Sequence, residues 1–145
     1  MAIPSTDDTV IWRVHLRSSP EQVYRLLTTD DGRASFWSKS AVERDGVIEF
    51  EAKNGNRWSC RIVEQNPSSR FAMEYGGLTI FDLAADGRGG TDLTLTNTGF
   101  DPAERDDALP GWLNILLPLK ARADFGVDLR NDDPDRDWGR GYVDH

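Results

Sequence analysis

From Thr9 to Arg17 apolar and polar residues alternate, with Val10, Trp12, Val14 and Leu16 on one face and Ile11, Arg13, His15 and Arg17 on the other. A period of two predicts a half-buried strand. Ser19-Pro20-Glu21-Gln22 then supplies a cap, a proline at the first helical position and a Gln three residues after the cap, the signature of a helix start. The spacing predicts a helix to about Thr28 that buries Val23, Leu26 and Leu27. A second short helix is expected from Asp30 or Asp31, frayed by Gly32 and carrying Phe36 and Trp37.

The middle of the chain reads as a meander whose registers can be tested against one another. Ile48, Phe50 and Ala52 must share a face with Trp58, Cys60 and Ile62. A two-residue loop at Asn54-Gly55 puts these sets on opposite faces. An odd loop, three residues from Asn54 to Asn56 or five, pairs Phe50 with Cys60 and Ile48 with Ile62. Glu49 then faces Arg61 as an exposed pair worth under ~1 kcal/mol. A turn at Gly76-Gly77-Leu78 matches Phe71, Met73 and Tyr75 with Leu83, Phe81 and Thr79. Across the loop Asp86-Gly87-Arg88-Gly89-Gly90, Phe81 and Leu83 match Leu95 and Leu93, and Thr79 lies beside Asn97. The inner face is therefore apolar, with a polar edge of Tyr75, Thr79 and Asn97.

Pro110-Gly111 is expected to open a long helix presenting Trp112, Ile115, Leu116, Leu119 and Ala123, with a kink or early break at Pro118. Residues 128–145 are polar and Gly-rich, and read as an irregular surface tail anchored by Trp138 and Tyr142. Strand, two helices, six or seven strands and a long helix make an α+β fold. One domain is expected over residues 1–145, with its core at about 8–125.

Composition narrows the function more than the fold. With 25 acidic against 17 basic residues the net charge is −8, which argues against a nucleic-acid partner. Cys60 is the single cysteine, so no internal disulfide can form. The first eight residues lack the basic start and apolar run of a signal peptide, and no segment approaches the roughly 18 apolar residues of a membrane span. A cytoplasmic protein is the expectation.

Candidate chemistry is thin. His15 falls on the outward face of the first strand and His145 is the last residue, so neither is placed for acid–base work. Two histidines and one cysteine far apart make poor metal ligands, and no motif implies a cofactor. Cys60 points inward as an inert core thiol. The loop at Asp86 lacks the Lys-Ser/Thr ending of a phosphate loop and joins strand to strand. Asp30, Asp31, Asp101, Glu104, Asp106 and Asp107 sit where they can cap helices or stay hydrated.

What remains is an inward set with 5 Trp and 6 Phe to draw on: Trp12, Val14, Trp37, Phe50, Trp58, Met73, Tyr75, Thr79, Phe81, Asn97, Trp112 and Leu116. These either fill a core or line a pocket. Rigid rings with a few polar groups at one end are what ligand sites use. In the pocket reading Tyr75, Thr79 and Asn97 orient a polar head, while Trp12, Trp58 and Phe81 hold an apolar body.

Leu93, Leu95, Asn97, Gly99 and Phe100 at the last strand, then Gly111, Trp112, Leu116, Leu119 and Lys120 in the last helix, resemble the START-like or SRPBCC helix-grip superfamily. The likeness is to its branch similar to the activator of heat shock protein 90 ATPase. Pro20-Glu21-Gln22-Val23-Tyr24 and Phe36-Trp37 fit as well, and the resemblance covers about residues 8–125. It implies a curved antiparallel sheet wrapped around the last helix. Where the family often has His, this chain has Asn97, which cannot take a proton as His does. The leading expectation is a binding protein for an apolar or amphipathic small molecule, without catalysis. The rivals are a co-chaperone-like interaction module, for which a chaperone partner is implied, and a cyclase or aromatase-type enzyme. Ile11 and Ile80, expected on the outer sheet face, suggest a homodimer or packing of the tail.

Overall fold

The computed structural model describes residues 8–145; most of the segment weighed above as a signal peptide lies outside them. Seven antiparallel strands form one curved sheet: β1 (Thr9–Leu16), β2 (Ser40–Arg44), β3 (Val47–Glu51), β4 (Arg57–Asn66), β5 (Arg70–Glu74), β6 (Leu78–Ala85) and β7 (Thr91–Thr98). Their spatial order is β1-β7-β6-β5-β4-β3-β2. Two short helices, α1 (Pro20–Thr28) and α2 (Asp30–Ala34), cross from β1 to the far edge, and α3 (Arg105–Phe125) lies in the grip of the sheet.

The helix starts follow the sequence closely. Ser19 Oγ accepts from Gln22 N at 3.2 Å and Gln22 Oε1 from Ser19 N at 3.0 Å, a complete capping box. Thr29 caps α2 through Gly32 N. Gly32 does not fray the helix. It is buried, with no room for a Cβ beside the Leu26 carbonyl. Phe36 and Trp37 come just after α2 instead of within it. Arg33, fully buried, donates to Ala41 O and Leu27 O and pairs with Asp30, which ties α2 to the edge strand β2.

Two registers depart from expectation by two residues each. Phe50 lies opposite Trp58 and Ile48 opposite Cys60, one pair short of the predicted match. The loop is odd as expected, but its three residues are Lys53 to Gly55, closed by Ala52 N donating to Asn56 O at 2.8 Å. A three-residue hairpin needs its left-handed residue last, and Gly55 at φ 91° fills that position. Glu49 consequently accepts from Ser59, and Arg61 pairs with Glu74. In the next hairpin Phe71 faces Phe81 and Met73 faces Thr79. Gly76 and Gly77, both at positive φ, reverse the chain one residue early. The third register, Thr79–Asn97, Phe81–Leu95 and Leu83–Leu93, is as expected.

Two further features shape the sheet. Asp45-Gly46, both left-handed, makes a two-residue hairpin between β2 and β3. An irregularity between Ile62 and Glu64 shifts the β4–β5 register, adding the bend that such insertions produce.

Helix α3 begins at Arg105, earlier than Pro110, and runs unbroken through Pro118 to a left-handed Gly126 cap. The missing Pro118 N–H removes one bond without ending the helix, and Pro118 is buried together with Leu116 and Leu119. Among the described residues no helix is long and apolar enough to cross a membrane. Ile11 and Ile80 are half-buried on the outer face, both paired with Thr96 across the strands.

Candidate functional site

Helix α3 is fastened to the sheet at both ends. At its C-terminal end Asp124 accepts from Arg17 N at 2.9 Å, Ser18 N at 3.0 Å, Ser18 Oγ at 2.8 Å and Lys120 Nζ at 3.0 Å. Burial pushes this carboxyl up, but those donors outweigh it and hold it at about 2. At the other end Asn97 Oδ1 accepts from Trp112 Nε1 at 3.0 Å, and Asn97 Nδ2 donates to Gly76 O and Thr79 Oγ1 at 3.0 Å each. Thr79 Oγ1 donates to Tyr75 O at 2.9 Å. The polar edge read from the sequence therefore exists, but it engages Tyr75 through its backbone carbonyl. Asn97 and Thr79 use their hydrogen bonds to latch the β5–β6 turn and α3. Trp12 adds a third tie, donating from Nε1 to Leu109 O at 3.0 Å.

Between these fastenings one half of the space is filled and the other is open. Towards the C-terminal half of α3, Leu16, Leu27, Leu93, Leu95, Leu116 and Leu119 are all at most 2% exposed in one core. Towards the N-terminal half a cavity of about 420 Å³ remains, within the usual range for small-molecule sites. Of the twelve residues expected to form a site, Trp37, Trp58, Tyr75, Asn97 and Trp112 line it. Phe50, Met73, Thr79, Phe81 and Leu116 are fully buried in the packing behind it, and Trp12 and Val14 are half-buried against the core.

The cavity wall is an aromatic cluster. Trp37 sits at its centre, with ring centroids 5.2 Å from Phe50, 5.5 Å from Tyr75, 5.8 Å from Phe81 and 6.3 Å from Trp112. Phe50 stacks behind Trp58 at 5.3 Å. Such rings bury large area but cannot bend to close a gap. On α3 the wall is completed by Asp107, Ala108, Gly111, Trp112, Asn114 and Ile115. A Cβ added at Gly111 meets nothing within 4 Å.

The tail supplies the rest of the wall and was the part least readable in the sequence. Arg130, not Tyr142, is its anchor: the guanidinium pairs with Asp128 and donates to Ser38 O and Ala34 O at 2.9 Å each. Tyr142 is 41% exposed. Asn54 donates to Asp137 at 3.1 Å, joining the β3–β4 turn to the tail, and Trp138 lines the cavity beside His145. Burial lowers the His145 pKa, so the ring favours its neutral form. Only the two aromatic residues of this segment gave a sequence signal.

The other candidate groups are accounted for locally. His15 contacts Asp86 at 2.8 Å on the surface, and Asp86 accepts from Arg88 N and Gly90 N to shape its own turn. Cys60 is buried, and desolvation pushes its thiol up to about 12, which leaves it protonated and inert. Among the described residues no group of three or more His, Cys, Asp or Glu side chains is placed to hold a metal ion.

The family model of the Activator of Hsp90 ATPase homolog 1-like protein matches residues 17–124. Among solved structures, the Aha1 dimer from Colwellia psychrerythraea is 21% identical, with TM-score 0.73 over 81% of this chain and 97% of that one. A protein from Staphylococcus saprophyticus is 22% identical, with TM-score 0.74 over 84% and 96%. A conserved protein of unknown function from Enterococcus faecalis is 17% identical, with TM-score 0.69 over 94% and 82%. At these identities the likeness is one of fold. No curated protein matches the chain.

Proposed function

Because the chain belongs to the Activator of Hsp90 ATPase homolog 1-like family, whose helix-grip fold encloses space beneath its last helix, we propose that it binds an apolar or amphipathic small molecule in that space. The observation carrying this reading is the aromatic-walled cavity of about 420 Å³. Burying ligand area there contributes about 25 cal/mol per Å², and the rings lose little freedom on binding. The neutral fluorescent probe N-phenyl-1-naphthylamine tests it. Saturable fluorescence enhancement, lost in Gly111→Phe, is the expected result. No enhancement at any protein concentration counts against the cavity as a ligand site.

A second reading, a protein-interaction module, is favoured by the outward stripe of α3. Leu113 is 37% exposed, Leu117 54% and Phe125 61%. The similar Colwellia structure is described as an Aha1 dimer, so a second copy of this chain is the first partner to test. Sedimentation equilibrium of the native chain and Leu117→Glu reads it directly. A concentration-independent monomer speaks against self-association.

A further inference from the structure

The aromatic wall contains a polar cluster that an apolar ligand alone does not use. Tyr75 leaves the end of β5 at the Gly76 reversal, and its ring lies between Trp37, Trp58 and Trp112, at 5.5, 6.4 and 5.2 Å. Trp112 has committed its N–H to Asn97. Trp37 has not: its Nε1 is buried and makes no well-formed hydrogen bond. Burial pushes the Tyr75 phenol up to about 12, against a smaller lowering by the indole N–H groups of Trp37 and Trp58 beside its oxygen. The hydroxyl thus keeps its proton and is a donor as well. The Trp37 N–H and the Tyr75 O–H are both donors, and the buried Trp37 N–H beside the Tyr75 ring is left without an acceptor.

Resting on the ligand-binding reading above, we propose that the cavity selects uncharged ligands whose apolar body carries a carbonyl-type acceptor oxygen, which completes the Tyr75–Trp37 donor cluster. Charge is disfavoured by the lining. Its cations Lys39, Lys53 and Arg130 already face Glu51, Asp132 and Asp128. Glu104, Asp107, Asp133 and Asp137 line the same space, so a ligand carboxylate meets more negative than positive charge there, and desolvating it is costly. An apolar molecule of the same shape fits the space but leaves the buried donor unpaired, which a site built to hydrogen-bond discriminates against.

Calorimetric titration of 9-fluorenone and fluorene, which differ by one carbonyl on the same flat body, tests the proposal. The native chain is expected to bind fluorenone about tenfold more tightly than fluorene, the factor a net hydrogen bond supplies. In Tyr75→Phe and in Trp37→Phe that ratio falls towards one. In ¹⁵N spectra the Trp37 indole N–H signal moves with fluorenone and not with fluorene. Equal affinities for the native chain, or a ratio that survives both substitutions, overturn the acceptor proposal and leave the cavity reading standing. Binding of neither compound overturns both.

Discussion

Both halves of the space under α3 are lined by apolar side chains, yet only one is filled. In the half beneath Leu116 and Leu119, branched aliphatic residues interlock with the sheet, and every one of them is buried. In the half beneath Ala108 and Gly111, rigid rings line open space, and Gly111 presents no side chain to it. Flexible aliphatic residues adapt to one another's shape until voids close. Rings anchored from behind, as Trp58 is by Phe50, cannot. The cavity thus lies where rigid rings meet the open space at Gly111, and the latch at Asn97 ties Trp112 on α3 to the β5–β6 turn beside it.

The sharpest way to break this contrast is to exchange the two halves' properties. Gly111→Phe fills the open half and is expected to abolish saturable probe binding while the chain remains folded. Leu116→Ala hollows the closed half. It should cost about 2–5 kcal/mol of stability in urea titrations, as core truncations do, while the probe still binds. If Leu116→Ala removed binding and Gly111→Phe did not, the halves would have been assigned the wrong way round.

The next effect is at the fastenings. Asn97→Ala strands Trp112 Nε1 and the Gly76 carbonyl turn, and each buried group left unsatisfied costs about 1–3 kcal/mol. A loss of that size in denaturant midpoint, together with weakened probe binding, is expected. At the other end Asp124 has its folded pKa at about 2, below its unpaired value of 3.8. A depressed carboxyl contributes stability that is present above its unfolded pKa and lost as pH falls through the folded one. The contribution, about 2 kcal/mol for this shift, should therefore disappear between roughly pH 4 and pH 2. Asp124→Asn is expected to flatten that part of the stability–pH curve, and an unchanged acid limb contradicts the role given to Asp124. The smallest effect is a gain. Gly111→Ala adds a Cβ into open space and should stabilise the helix by up to about 1 kcal/mol with the probe still bound.

Most of the fold was legible in the sequence because its signals were local. The Ser19 capping box, the alternation of β1 and the β6–β7 register each rest on residues close in the chain or on a single face assignment. The two hairpin registers failed by one pair for one reason: alternation fixes which face a residue takes, but not which residue of a turn holds the left-handed position. Gly55 and Gly76-Gly77 decide that, and the correction moves Tyr75 out of the strand ladder so that its ring joins Trp37 and Trp112. The site was legible in part. Its rings could be named from facing, whereas their division into wall and packing depends on how α3 sits over them, which alternation does not fix. The contribution of Arg130 and Asp137 depends on contacts across some 90 residues of chain, which no periodicity encodes.

The most direct measurement is the location of the bound probe by intermolecular nuclear Overhauser effects in the complex with N-phenyl-1-naphthylamine. Contacts from the probe to the rings of Trp37, Trp58, Tyr75 and Trp112 and to the Gly111 α-protons are the expected result. Contacts confined to Leu113, Leu117 and Phe125 on the outward side of α3 would contradict it.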